Sequence, residues 1–528
     1  MGITLPLHRW AQQTPDEDAV IDGATRHTFR ELRERVAAFA GVLRALGVVT
    51  GDRVAILSAN SARYLECLGA VPWAGAVLNP VNVRWSPAEM AYSFTDSRTS
   101  VLIVDDTFAA LVPALRAAAP CLRDVVYAGD GPVPEGMHGY EEAIVATASI
   151  PDANRGGDDL AGVFYTGGTT GFPKGVMLSH DNLYASAMGG LVATAAFRIA
   201  ADARVLHAAP MFHVAGFGVS LMTSIVGIPQ VVMPFFEPAG VARLIEQERI
   251  TEVFLAPTML GMLLDHPEFP TRDLTSLRLL TYGASPITAD LLARVREALP
   301  GTALVQAYGQ TELSPLATLL TPQDHVDADP RRLRSAGRPC YHADVRVVGP
   351  DEDELPRGEV GEIVSRGDHV MLGYWNRPEE TGRALRDGWM HTGDLGFMDA
   401  DGYVTVVDRL KDMIVTGAEN VYSAEVENAI NVHPDVTTCA VIGLPDPTWG
   451  ERVHAVVVLR PGTDADADAI RAHTRTLIAG YKAPRSVEFV DTLPVTAAGK
   501  VRKTVLRERA DGARALDNHP VGGHDPTS

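Results

Sequence analysis

A chain of 528 residues is long enough for two or three domains at roughly 100–200 residues each. Its 46% apolar and 21% charged residues are the composition of a globular protein, which excludes a collagen, a disordered acidic tail and a small disulfide scaffold. With 46 Lys and Arg against 66 Asp and Glu the formal charge is −20, which repels phosphate backbones and anionic membranes but leaves room for a small anion held by a few cations in one cleft.

Residues 1–16 carry no charged-then-apolar leader pattern, and a cytoplasmic location is expected. The four cysteines, Cys67, Cys121, Cys340 and Cys439, lie far apart and form no CxxC pair. That spacing fits a reducing compartment and neither a zinc site nor a disulfide framework. Thr28 and Glu31 read as a capping box; Phe29, Leu32, Val36, Phe39 and Leu43 then follow at helical spacing until Gly47 stops the helix. Apolar runs at 54–57, 76–78 and 101–104 read as strands, and the pattern resumes at 251–256, 277–281 and 303–307. Strands alternating with helix-length segments predict an α/β fold, with a large N-terminal domain of mostly parallel sheets flanked by helices. Residues 205–236 contain no Asp, Glu, Lys or Arg, so a membrane span is one reading. Pro210, His213, Gly216, Gly218, Gly227 and Pro229 cut the stretch into strand and short-helix lengths, which favours buried core. His213, Gly283 and Tyr308 each end an apolar run. Ligands of open α/β sheets bind beyond the carboxyl ends of strands, so these three segments are expected to meet at one cleft.

The texture changes near residue 400. Strands at 403–407, 438–442, 453–459 and 486–490 and helices at 423–430 and 469–478 predict a small α+β domain. The domains are drawn as 1–408 and 409–511, with 512–528 as a flexible tail. The alternating Asp-Ala run at 464–468 reads as a solvated loop entering a helix.

The segment Tyr165-Thr-Gly-Gly-Thr-Thr-Gly-Phe-Pro-Lys-Gly175 holds four glycines, three threonines and one lysine. Glycines let backbone N–H groups approach an anion, hydroxyls add donors and Lys174 adds charge, which is the chemistry of a phosphate loop. It is not a Walker A loop, because Phe-Pro-Lys follows Gly171, and it lacks the GxGxxG of a dinucleotide fold.

These eleven residues closely resemble the phosphate-loop signature of the adenylate-forming superfamily, which includes acyl-CoA synthetases, adenylation domains of peptide synthetases and beetle luciferases. The resemblance recurs from about residue 10 to residue 507, in Tyr308-Gly-Gln-Thr-Glu312, Gly361-Glu-Ile…Leu372-Gly-Tyr-Trp375, His391-Thr-Gly-Asp394, Asp408-Arg-Leu-Lys-Asp412 and Pro494-Val-Thr-Ala-Ala-Gly-Lys500. It implies a two-step reaction: a carboxylate attacks the α-phosphate of ATP to give an acyl-adenylate and pyrophosphate, and a thiol, usually of coenzyme A, then displaces AMP. Preorganised cations and N–H donors at the α-phosphate are the expected catalytic device.

The resemblance also implies roles. Thr166, Gly167, Gly168, Thr169, Thr170, Gly171 and Lys174 would hold phosphate. Ala307, Tyr308, Gly309 and Gln310 would lie on one side of the adenine, and Gly283, Ala284 and Ser285 on the other. Thr311 would offer its hydroxyl to the α-phosphate, and Glu312 would be a hard oxygen ligand for Mg²⁺. Asp394 and Arg409 would reach the ribose. Lys500 would be the mobile catalytic lysine and Lys411 the hinge of a swinging small domain. His213 resembles the gate beside the substrate carboxylate. No Asp follows it to pair an ammonium, which argues against an α-amino acid, and Phe217, Met222 and Leu316 are apolar candidates for the pocket wall, which favours a fatty or other largely apolar acid. Gly417, Ala418 and Glu419 stand at the coenzyme A face, where many relatives have Gly-Gly-Glu-Asn; Ala418 departs from that pattern, and Ser423 stands where a proline is common. The expected function is an ATP-, Mg²⁺- and coenzyme A-dependent carboxylic acid–CoA ligase. An acyl-AMP ligase serving a carrier protein or another nucleophile is the open alternative. Neither nucleic acid nor a transmembrane segment is expected, and a homodimer is suggested by analogy only.

Overall fold

Apolar runs of four or five residues, bounded by turns and alternating with amphipathic helices, condense into two parallel-cored sheets. The computed structural model describes residues 1–166, 173–198, 202–326, 329–416, 419–495 and 501–517. The chain divides into two compact units. One comprises Met1–Glu359, Ile363–Thr392 and Met398–Thr405; the other comprises Val360–Glu362, Gly393–Phe397 and everything from Val406 onward.

In the large unit, Asp18–Asp22, Gln230–Val232, Val205–His207, Glu252–Leu255, Leu279–Gly283 and Ala303–Tyr308 run parallel as neighbours. Thr25–Thr28 closes one edge of this nine-stranded sheet antiparallel, and Thr318–Leu320 with Arg338–Pro339 closes the other. The second sheet, of eight strands, sets Leu160–Thr166, Val77–Pro80, Arg53–Leu57, Val101–Val104, Asp124–Tyr127 and His138–Gly139 side by side and parallel. All four residues of Val101–Val104 are buried, as befits a strand covered on both faces. The helix Phe29–Ala45 opens with the predicted capping box: Thr28 Oγ accepts from Glu31 N at 3.2 Å, and Thr28 N donates to the Glu31 carboxylate at 2.8 Å. Helices Pro238–Gln247, Pro257–Leu264 and Ala289–Ala298 bury Val241, Leu260 and Val295 over the first sheet.

The uncharged stretch 205–236 is core. It forms the strand Val205–His207, the helix Val214–Val226 and the strand Gln230–Val232. Among the described residues no helix is long and apolar enough to cross a membrane. A third sheet contains Asp344–Val348, Gly361–Arg366, Leu385–Arg386, Trp389–Met398 and Val404–Arg409.

In the small unit, Glu419–Val421, Ile414–Thr416, Gly450–Leu459 and Val436–Asp446 form an antiparallel path, and Ser486–Phe489 joins Gly450–Leu459 in parallel. Helices Ser423–Asn431 and Ala467–Leu477 pack Val426, Ile430 and Ile470 on Val441 and Val453. The last helix runs Lys503–Asp517, past Gly512, where the sequence analysis begins a tail. All four cysteines are free thiols.

Candidate active site

The glycine-rich segment lies between two paired strands. Leu160–Thr166 and Lys174–Ser179 pair antiparallel, with Tyr165 opposite Gly175 and Thr166 opposite Lys174. The lysine therefore starts a strand, unlike the strand-to-helix turn of a Walker loop. Gly167, Gly168, Thr169, Thr170 and Gly171 lie outside the described residues. Tyr165 anchors the stem through its hydroxyl, which donates to Asp96 Oδ2 at 2.7 Å.

Two neighbouring strands of the first sheet end together. Gly283 pairs with Ala307, which brings Gly283–Ala284–Ser285 beside Ala307–Tyr308–Gly309–Gln310. A Cβ at Gly283 would stand 2.3 Å from the Ala307 carbonyl oxygen, so only glycine allows this approach. The same holds at Gly309, where a Cβ would lie 2.0 Å from the Pro315 oxygen. Ala284 is held at φ +67, a left-handed conformation that is costly for a residue with a Cβ and tends to occur at working sites. Tyr308 is half-buried at the strand end and its carbonyl accepts from Ala317 N at 2.9 Å.

Beyond Tyr308, Gln310 donates to the Thr392 carbonyl at 3.3 Å and precedes a single turn, Thr311–Leu313. Thr311 is half-buried and Glu312 is buried. Tyr374 donates its hydroxyl to Glu312 Oε1 at 2.9 Å, and Met371 N donates to the Glu312 carbonyl at 2.9 Å. Over the ring of the same tyrosine, Lys174 Nζ lies 5.1 Å from the centroid. Burial and the Glu312 charge push the Tyr374 hydroxyl up from its ordinary value, so it stays a donor. Among the described residues no group of three or more His, Cys, Asp or Glu could hold a metal by itself. A lone buried carboxylate fits Mg²⁺ that arrives with a nucleotide, because that ion takes one or two carboxylates and completes its shell with phosphate and water.

His213 caps the helix Val214–Val226 in an extended conformation. Asn60 shapes the turn before it, its Nδ2 donating to the carbonyls of Ala209 and Met233 at 3.0 and 3.2 Å and its Oδ1 accepting from Met211 N at 2.8 Å. Burial, reinforced by Arg84, lowers His213 to about 4, so the imidazole is neutral at physiological pH. Phe217, one turn on, meets Phe164 edge to face at 5.5 Å. Leu316 is buried and Met222 is partly buried.

In the small unit Asp394 is 4% exposed and bonded by Arg409 Nε at 2.8 Å. Asp408 does not pair with Arg409 on the surface. It is buried and accepts both the Ser423 backbone N–H and its hydroxyl, which fixes the start of the helix Ser423–Asn431. Lys503 also donates to Ser423 Oγ, at 2.6 Å, so the serine in the place of a proline has its own partners. Lys411 sits in the exposed turn before Ile414–Thr416, and Glu419 is exposed at the start of Glu419–Val421. Gly417, Ala418 and Lys500 lie outside the described residues.

Sequence reasoning missed Tyr374, Glu380 and Asn60. Tyr374 stood in a quoted motif without a role. Glu380, an ordinary-looking glutamate on the helix Pro378–Ala384, makes an ion pair with Lys174. Asn60 carried no signal beyond a polar residue after an apolar run.

Family models match in two places: an AMP-binding enzyme model over residues 7–375 and an AMP-binding enzyme C-terminal domain over 425–500. The chain is 46% identical over 505 residues to a feruloyl-CoA synthase of Amycolatopsis, covering 96% of this chain and 98% of that one. It is 39% identical to a medium/long-chain-fatty-acid–CoA ligase of Mycobacterium tuberculosis, covering 92% and 86%. Its fold is similar to ATP-bound MatB from Rhodopseudomonas palustris, with a TM-score of 0.87 at 33% identity over 97% of this chain and all of that one.

Proposed function

From the premise that the chain belongs to the AMP-binding enzyme family and is an acid–thiol ligase using ATP and coenzyme A, we propose that its acid is an aryl acid of the hydroxycinnamate kind. Within the expected class of fatty or other largely apolar acids, this reading favours an aromatic one. Identity to the feruloyl-CoA synthase, at 46%, exceeds the 39% to the fatty-acid ligase. An apolar wall of Phe217, Met222 and Leu316 suits either tail, whereas the absence of an Asp after His213 disfavours an amino acid.

The observation that carries the nucleotide half is the meeting of Lys174 and Glu312 at Tyr374, the lysine over its ring and the glutamate on its hydroxyl. In the proposed first step, Tyr308 and the Gly283–Ser285 backbone sandwich the adenine. Lys174 and the threonine-rich loop neutralise phosphate, and Thr311 donates to the α-phosphate. Glu312 would hold the Mg²⁺ that accompanies ATP, and the ion would supply charge neutralisation at the phosphates. Neutral His213 orients the acid carboxylate by a hydrogen bond without adding charge. Asp394, aligned by Arg409, accepts the ribose hydroxyls, and Lys500 stabilises charge gathering at the α-phosphate. In the second step the small unit, turning about Lys411, presents Gly417, Ala418 and Glu419 to coenzyme A.

Incubation with Mg-ATP, coenzyme A and a panel of aryl, fatty and amino acids, with products read by mass spectrometry, tests this reading. Hydroxycinnamoyl-CoA and AMP are expected. Acyl-AMP without acyl-CoA would transfer the weight to a carrier protein or other acceptor, as Ala418 allows.

A further inference from the structure

The segment after Met371 is laced to the strand that begins at Lys174. Leu372 N donates to the Met177 carbonyl at 2.9 Å and Trp375 N to the Gly175 carbonyl at 2.7 Å, with Tyr374 opposite Val176. Thr381 closes the next turn, its Oγ1 accepting from Tyr374 N at 2.9 Å and donating to the Arg377 carbonyl at 2.8 Å. This fixed strap carries Glu380 to Lys174, and the two form an ion pair beside the Tyr374 ring. Arg377 Nη1 stands 3.8 Å from the other Glu380 oxygen. A triphosphate cannot have the full charge of Lys174 while Glu380 holds it.

We propose that Glu380 is a positioning residue for nucleotide binding: its carboxylate holds Lys174 at the start of its strand in place of a phosphate, and ATP binds by taking the lysine over. The inference rests on the reading of Lys174 as a phosphate ligand. Two features make the exchange workable. The pair is only half-buried, with side chains 30% and 28% exposed, so it contributes a factor of about 1.5–5 rather than orders of magnitude. Arg377 also remains beside Glu380 after the lysine leaves, so no carboxylate is stranded. Glu380 therefore keeps a long, mobile side chain in place in the empty protein at a small cost in ATP affinity.

The test is calorimetric titration of the full chain with Mg-ATP and with adenosine, both without acid, so that nothing turns over. Glu380→Gln is expected to tighten ATP by about 1.5- to 5-fold and leave adenosine unchanged. Lys174→Ala weakens ATP, and in the Lys174→Ala background Glu380→Gln has no further effect. Glu380→Ala, a second variant on the same exposed helix, should behave as Glu380→Gln does. ATP affinity unchanged or weakened by both Glu380 variants would overturn the proposal, as would a gain that persists without Lys174. If Lys174→Ala alone leaves ATP affinity intact, the phosphate role of Lys174 falls instead.

Discussion

Removing one oxygen atom from Tyr374 separates its two tasks. Tyr374→Phe keeps the ring beneath Lys174 and deletes the hydroxyl that donates to Glu312 Oε1 at 2.9 Å. Both residues are 9% exposed, so water does not readily replace the lost donor. A hydrogen bond to a charged group contributes about 1.5–3 kcal/mol. At 1.36 kcal/mol per tenfold, a bond that holds Glu312 in the metal-binding pose proposed for it is worth roughly 10- to 150-fold in the adenylation rate. The assay is ATP–pyrophosphate exchange at saturating acid over a range of Mg²⁺ concentrations. The variant should need more Mg²⁺ for half-maximal exchange, and excess Mg²⁺ should recover part of the loss. Exchange within twofold of the parent at limiting Mg²⁺ would refute the argument that Tyr374 orients Glu312.

Gly283→Ala would press a Cβ to 2.3 Å from the Ala307 carbonyl, parting two paired strand ends; a loss of about 1–3 kcal/mol of stability and weaker ATP binding are expected from thermal melts and titration. Burial lowers His180, His207 and His213 to about 4 and His369 to about 3, so each is neutral in the folded protein while the unfolded chain takes up protons below about 6.5. Stability from these groups is full above that value and declines as the pH falls toward 4; a melting temperature that stays constant from pH 6.5 to 4.5 would contradict this. Lys500→Ala should abolish pyrophosphate exchange yet spare thioester formation from supplied acyl-adenylate, and normal exchange would remove Lys500 from the mechanism.

Contiguous features were legible in the sequence. The run at 101–104 is the strand Val101–Val104 itself, because strands buried on both faces are short unbroken apolar runs; 303–307 extends by one residue to Tyr308, in a strand parallel to Leu279–Gly283 and antiparallel to Thr318–Leu320. The capping box is likewise local chemistry. The strand predicted at 438–442 instead spans Val436–Asp446, since pairing with Gly450–Leu459 carries it through Pro445, which no local propensity favours. Residues 360–362 and 393–397 group with the small unit although they precede 406 in the chain, a grouping that no local sequence pattern announces. At the site, Tyr308, Thr311 and Glu312 share one motif and were found together. Tyr374 lies 62 positions from Glu312, and Glu380 lies far from Lys174, so only the strap that pairs with the hairpin reveals them. The acid's identity was the least legible feature, because the shape of an acyl pocket depends on where its wall residues are placed rather than on their being apolar.

The most direct test of the central claim is a competition assay in which ferulate, a long-chain fatty acid and an aromatic amino acid are offered together with Mg-ATP and coenzyme A, and the products are resolved by mass. The account predicts feruloyl-CoA with stoichiometric AMP and little product from the other two. Fatty acyl-CoA as the dominant thioester, or adenylates that accumulate without any thioester, would contradict it.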